Sequence, residues 1–238
     1  MKYSLTILAG VWVAVSFGQP LADISKRLKA LEQQTTFYHD TAGFFKLPRF
    51  DYRCDNGNEH PWDYYHIMDV NRDGLKDLIY SGPCGDHAQT GIFLNVGRVF
   101  RRIYDFPGVV ISIDTGMVTT INMLREACCC EDYSQYIQVT IDQDARLTKN
   151  TIVFDPKTKI KLANKLSRVK VVGTIRGTPQ INDVIKKNEC KTAVLTGNQL
   201  TRIVEFKSIV QLNKSGPWWL VLYPENNEMS WLGWMRLN

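Results

Sequence analysis

A short run of oxygen-bearing side chains between two apolar segments constrains this chain more than any other feature. It extends from Asp69 to Asp77, with acidic or amide residues at its first, third, fifth and ninth positions. Gly74 occupies the sixth position, where a tight calcium loop has to turn sharply, and the carbonyl of the seventh residue would face inward. The spacing predicts a structural Ca²⁺ site with these ligands: Asp69, Asn71, Asp73, Leu75 through its carbonyl, and Asp77.

The segments around this run favour strands rather than helices. Residues 65–68 before it and 78–80 after it are apolar and rich in β-forming types, so we predict strand, loop, strand. An EF-hand loop closes with Glu at its twelfth position, but Tyr80 stands there, so Asp77 or water would have to complete the shell. The open alternative is a solvated Asp/Asn/Gly turn without a metal.

With these residues the chain resembles the FG-GAP/VCBS (integrin-type) repeats of secreted bacterial proteins. In that pattern a D-x-N-x-D-G-x-x-D loop is followed by an apolar strand and then by a second strand that contains aromatics, here residues 90–100. The resemblance covers residues 62–106, about one repeat, and the chain has no second D-x-N-x-D-G loop. It implies one blade-like unit, since a whole propeller needs at least about four blades.

The beginning of the chain has the pattern of a secretory signal peptide. Lys2 is followed by an apolar run over residues 5–17 and then by small residues, with cleavage after Gly18 or after Ala22 left open. The run is shorter than the ~20 residues that a membrane span needs, so we expect no transmembrane segment after signal removal. We therefore expect an exported protein of the periplasm, the cell surface or the extracellular space.

The charge pattern does not favour nucleic-acid binding. The chain carries a formal net charge of +5, and its basic residues are scattered. The densest run, residues 157–170, is better interpreted as a solvated linker or strand face.

Six cysteines in an exported chain predict disulfides. A bond between Cys54 and Cys84 would clamp the two sides of the strand–loop unit, and Cys84 with one member of a vicinal triplet is the alternative. A zinc site is the rival interpretation, but no C-x-x-C or paired His spacing supports it. The cysteines are Cys54, Cys84, Cys128, Cys129, Cys130 and Cys190.

The rest of the chain predicts a mainly all-β protein. A short helix capped by Asp23 is followed by a meander that folds into a sandwich or partial barrel. The predicted strands are 64–70, 77–81, 91–96, 99–106, 109–114, 119–130, 135–142 and 151–155. The predicted organisation is signal peptide 1–22, helix 23–36, β-rich domain 37–165 and small barrel 166–238.

Four of the six tryptophans fall in the final 21 residues. Trp218 and Trp219 with Val221, and then residues 233–235, resemble the W-y-x-V and G-W-[VMI] elements of bacterial Src-homology-3 (SH3-type) domains. The resemblance covers residues 171–238 and departs from the family pattern over residues 182–198.

This resemblance implies a groove that binds a peptide, a glycan such as peptidoglycan, or an envelope protein. The predicted ligand-binding residues are Trp218, Trp219 and Tyr223. Core packing is the alternative role for a tryptophan, and for Trp234 it is the one we expect.

The sequence contains no recognised catalytic motif, so no catalytic residue is predicted. The sequence favours a non-enzymatic exported calcium-binding protein whose SH3-like domain binds an envelope partner. The alternative is a cell-envelope hydrolase or an accessory subunit of one. It would need His66, His87 and Asp86 in one cleft with a free Cys84.

Overall fold

The computed structural model describes residues 21–30, 64–85, 87–127, 133–187 and 194–236. Apart from one helix, the regular elements in these ranges are strands, which confirms the predicted all-β class. The predictions for the signal peptide before Leu21, for Asp86 and for every cysteine except Cys84 lie outside the described residues.

The predicted strand–loop–strand unit belongs to a four-stranded antiparallel sheet in the order β1-β2-β3-β4. Tyr65 pairs with Tyr80 and Met68 with Asp77, so the loop closes a hairpin. The strands are β1 (Tyr65–Met68), β2 (Asp77–Cys84), β3 (His87–Asn95) and β4 (Phe100–Pro107).

A second antiparallel meander follows directly. Its strands pair in sequence order, β5 with β6, β6 with β7 and β7 with β8. They are β5 (Val109–Asp114), β6 (Thr119–Arg125), β7 (Ser134–Ile141) and β8 (Leu147–Phe154). The predicted sixth strand was too long, because β6 ends at Arg125 rather than at residue 130.

The C-terminal strands form a small barrel. In the order β13-β12-β9-β14 each strand pairs with the next, and an additional pairing of β13 with β14 closes the ring. Its strands are β9 (Ser167–Arg176), β12 (Gln199–Ser215), β13 (Trp218–Pro224) and β14 (Met229–Arg236). The interior is apolar and consists of Ile175, Ile203, Ile209, Val221 and Met235.

Two features of this region were not predicted. Strand β12 is 17 residues long, a length that the sequence did not indicate. A small hairpin of β10 (Ile185–Lys187) and β11 (Val194–Thr196) lies inside the segment that departs from the SH3-type pattern.

The barrel and the second meander share one sheet. Met229–Leu232 of β14 pair in parallel with Thr151–Phe154 of β8, which gives an eight-stranded sheet. The sheet therefore runs across the predicted domain boundary at residue 166. The basic linker before β9 is also packed, because the Ala163 amide donates to the Leu212 carbonyl at 2.7 Å.

Two large apolar cores explain this arrangement. One lies between the two meanders and contains Met68, Val70, Ile79, Ile92 and Leu94 from the first and Val110, Ile121, Met123, Ile137, Val139 and Ile141 from the second. The other joins the second meander to the outer face of the barrel and contains Ile111, Tyr136, Ile152, Phe154, Val210, Leu212, Leu220, Leu222, Leu232 and Trp234. The predicted core role of Trp234 is confirmed.

The N-terminal helix completes the second of these cores. Helix α1 (Leu21–Ala30) buries Ile24 and Leu28 against it, which follows their spacing of one helical turn. The helix begins two residues before Asp23, so Asp23 is inside it and is not its cap. Among the described residues, no helix has the length and apolar character needed to cross a membrane.

Candidate metal centre

The acidic loop joins β1 to β2 through a tight turn. Gly74 has φ +86°, which suits glycine because it has no Cβ to clash. Arg72 has φ +62°, an uncommon conformation for a residue with a side chain. The backbone thus turns where the sequence placed the sharp bend.

Two carboxylates fold into the loop and bind its backbone. Asp69 accepts hydrogen bonds from the amides of Asp73 (3.1 Å) and Gly74 (2.9 Å). Asp73 accepts one from the Leu75 amide at 2.8 Å and one from the side-chain amide of Asn71 at 3.0 Å. Asp69, Asn71 and Asp73, three of the predicted ligands, are therefore brought together.

Asn71 has an unusual environment for a loop residue. Its side chain is buried, with 8% of the residue exposed, and its Oδ1 atom has no hydrogen-bond partner. Leaving a buried acceptor unsatisfied costs about 1–3 kcal/mol. An amide oxygen is also a ligand that Ca²⁺ accepts, so this atom suits a bound cation.

Asp77 is fully buried at the base of the loop. Its two oxygens accept hydrogen bonds from the amides of Val70 and Asn95, each at 2.7 Å. Burial raises the pKa of Asp77 to about 6; these hydrogen bonds oppose that rise, and the charges of Asp73 and Asp69 add to it. Asp77 therefore ties the loop to β3, and each oxygen keeps a further lone pair.

The predicted ligand set is only partly gathered. Within the described ranges, no group of three or more His, Cys, Asp or Glu side chains is arranged to hold a metal ion. The donors that lie together are two carboxylates and one amide, and Asp77 lies beside the backbone instead. Leu75 is partly exposed, as its place in the turn requires.

The loop also contacts the second meander, which the sequence did not predict. The guanidinium of Arg72 donates to the carbonyl of Thr115, between β5 and β6. The hydroxyl of Thr119 donates to the Val70 carbonyl at 2.6 Å. The loop thus lies where the two meanders meet, a long-range contact that no local pattern signals.

The aromatic residues predicted to bind a ligand lie on two different faces of β13. Trp218 packs against the core shared with the second meander. Trp219 and Tyr223 pack against the barrel interior, and Lys214 places its Nζ 5.0 Å from the centre of the Trp219 ring. All three are partly buried, and because they lie on two faces of β13 they do not form one continuous surface.

The residues considered for catalysis have different environments. His66 is fully buried in β1, whereas His87 is exposed at the start of β3. Cys84, opposite His87 in the pairing of β2 and β3, is disulfide-bonded. Its partner is one of the other five cysteines, all outside the described residues, so the Cys54–Cys84 pairing stays a prediction.

Comparison of the chain with protein-family models, with characterised proteins and with solved structures gives no match.

Proposed function

We propose that this chain is an exported, non-enzymatic calcium-binding protein in which Ca²⁺ stabilises the junction of the two meanders. The observation that carries the proposal is the buried, unsatisfied Oδ1 of Asn71, next to the carboxylates of Asp69 and Asp73. The resemblance to FG-GAP/VCBS loops supports the same ion, and its association with secreted proteins supports export.

The electrostatics of the loop agree with a cation. Three carboxylates lie within nine residues, and the charges of Asp69 and Asp73 both oppose the ionisation of Asp77. A divalent cation would offset this repulsion, and Asn71 would gain a partner. Oxygen-only donors favour a hard cation such as Ca²⁺ over zinc.

The position of the loop indicates what the cation would do. Arg72 and Val70 join it to the second meander, and Asp77 joins it to β3. A loop held in one conformation would fix these contacts together. Because Ca²⁺ would bind the folded chain and not the unfolded one, binding would stabilise the fold.

We also propose that the C-terminal barrel binds a peptide, a glycan or an envelope protein. Partly exposed aromatics support this, since Trp219 and Tyr223 share one face of β13 and Trp231 pairs with Tyr223. The indole of Trp231 is oriented by a hydrogen bond to Glu225 (2.9 Å) and by an edge contact with Tyr133. The hydrolase alternative gains no support, because Cys84 is disulfide-bonded and its thiol is not free.

Metal analysis of the purified protein tests the calcium proposal. After equilibration with Ca²⁺ and removal of free ion, we expect close to one bound calcium per chain. The double variant Asp69→Asn/Asp73→Asn should lose it, since two anionic ligands become neutral. Asp142→Asn is the matched control, because Asp142 also accepts a loop amide, that of Arg146, in the hairpin between β7 and β8. Equal calcium in the double variant and the wild type would contradict the proposal.

A further inference from the structure

An exposed apolar bulge interrupts the pairing of β12 with β9. Between the pairs Ile203–Gly173 and Lys207–Val171, three residues of β12 stand opposite the single residue Val172 of β9. Two of the three are large and apolar, and they are strongly exposed: Val204 at 77% and Phe206 at 74%. Val172 opposite them is also exposed, at 46%, so three exposed apolar residues lie at this one bulge, which we call the tip.

The tip is a fixed part of the fold. Ile203 before it and Ile209 after it are buried in the barrel interior. Gly173, opposite Ile203, has φ +149°, a backbone conformation that side-chain-bearing residues rarely adopt. Buried neighbours therefore anchor both ends of the bulge, and the exposure of Val204 and Phe206 is part of the fold.

The tip is surrounded by positive charge. Lys170, Arg202 and Lys207 are exposed at register positions next to the bulge. The acidic residue of the bulge, Glu205, is paired with Lys207 at 3.4 Å. The surface around the apolar tip is therefore net positive.

We propose that this tip, defined by Val172, Val204 and Phe206, docks the protein on an anionic lipid surface. A protruding apolar tip can insert into the boundary between headgroups and acyl chains, while flanking Lys and Arg side chains contact anionic headgroups. Peptide and small-molecule sites are usually concave and cover their lining side chains, whereas Val204 and Phe206 are about three-quarters exposed. The charge and the exposure together favour a bilayer over a peptide. This inference does not rest on the calcium proposal.

Co-sedimentation of the full chain with vesicles tests the inference. We expect binding to vesicles of equal parts phosphatidylcholine and phosphatidylglycerol, weaker binding at high salt, and little binding to pure phosphatidylcholine. The double variant Val204→Ser/Phe206→Ser should weaken binding at least about tenfold, because it removes the inserted apolar area. Val204→Leu/Phe206→Leu should retain binding. Met117→Ser is the matched control, since Met117 is 90% exposed in a different turn.

Chelator is present in every sample, so the outcome is independent of any bound calcium. The inference is overturned if the serine variant binds as the wild type does, or if neutral and anionic vesicles bind equally. Absence of binding to both vesicle types also overturns it. Self-association of the wild type that disappears in the serine variant would assign the tip to a second copy of the chain instead.

Discussion

Asp77 and Asn71 are both buried polar residues of one loop, but their oxygens have opposite surroundings. Both oxygens of Asp77 accept backbone amides, whereas Oδ1 of Asn71 accepts none. The two amides offset part of the cost of burying Asp77, a cost that its raised pKa records, whereas the unsatisfied amide oxygen of Asn71 is a cost until a ligand arrives. Asp77 is therefore chiefly a folding residue, and Asn71 is the residue whose environment points to a cation.

Two buried tyrosine hydroxyls provide a similar contrast elsewhere in the structure. The Tyr136 hydroxyl donates to Oδ1 of Asn122 at 2.6 Å, and Asn122 in turn donates to Ser112. The hydroxyl of Tyr104 is buried without a hydrogen-bond partner. We expect Tyr136→Phe to lower the free energy of unfolding by about 1 kcal/mol, and Tyr104→Phe to leave it unchanged or raise it. Urea unfolding of both variants measures this, and equal losses would contradict the assigned contacts.

Tyr136 also predicts how the stability of the fold changes at alkaline pH. Burial raises the pKa of Tyr136 to about 12 in the folded chain, against an ordinary value of 10.0, although Arg27 and Gln138 oppose the rise. The unfolded chain therefore loses this proton first, and stability falls as the pH rises from about 10 towards 12. Tyr136→Phe removes this contribution, so its stability should fall less steeply with pH than that of the wild type. Identical slopes would show that Tyr136 does not titrate as described.

The loop shows how much of the site could be predicted from sequence. The spacing identified which residues supply oxygens and where Gly74 turns. It could not show that Asn71 is buried, because the loop lies against a second meander that is distant in the chain, where Thr119 binds the neighbouring Val70. The spacing also assigned Asp77 only a role as metal ligand. It could not show that Asp77 accepts the amide of Asn95, because the two residues are 18 apart in sequence.

At the scale of elements, strands with clear apolar alternation were predicted well. The prediction for β5, residues 109–114, matches the observed Val109–Asp114, and most other strands of the two meanders shift by a few residues at their ends. Two failures have physical reasons. The bulge in β12 leaves residues 204–208 exposed and so interrupts its apolar alternation, and β10 and β11 have only three residues each, too few to show a period.

The parallel pairing of β14 with β8 could not be predicted from local sequence. Neither strand has a local signal that selects a partner about 78 residues away in sequence. Pairing depends on the core that β8 and the outer face of the barrel bury together. Long-range contacts of this kind are set by the whole fold and not by local propensity.

At the scale of the whole molecule, the shared sheet and core predict that the two halves depend on each other. Residues 23–165 alone would expose Ile152 and Phe154, which pack against strands of the barrel. We expect this fragment to unfold at a clearly lower temperature than the full chain, because the core that it shares with the barrel stabilises only when both sides are present.

The full chain, cleaved between β8 and β9 after folding, is the control for that experiment. Asn164 and Lys165 are exposed between β8 and β9, so a protease site placed there can be cleaved after folding. The two cut parts should elute together in size-exclusion chromatography. A fragment 23–165 that melts cooperatively near the melting temperature of the full chain would show instead that residue 166 separates independent domains.

We propose that the loop from Asp69 to Asp77 binds Ca²⁺ and that binding stabilises the fold. The most direct measurement is the melting temperature of the full chain in excess Ca²⁺ and in chelator. A free Ca²⁺ concentration about a hundred times the dissociation constant raises the free energy of unfolding by about 2.7 kcal/mol. For a chain of this size, that raises the melting temperature by roughly 5–10 °C. Asp73→Ala should abolish most of the shift, Asp142→Ala should keep it, and Mg²⁺ should produce less of it. Identical melting curves of the wild type in Ca²⁺ and in chelator would show that the loop is a plain turn, which contradicts the claim.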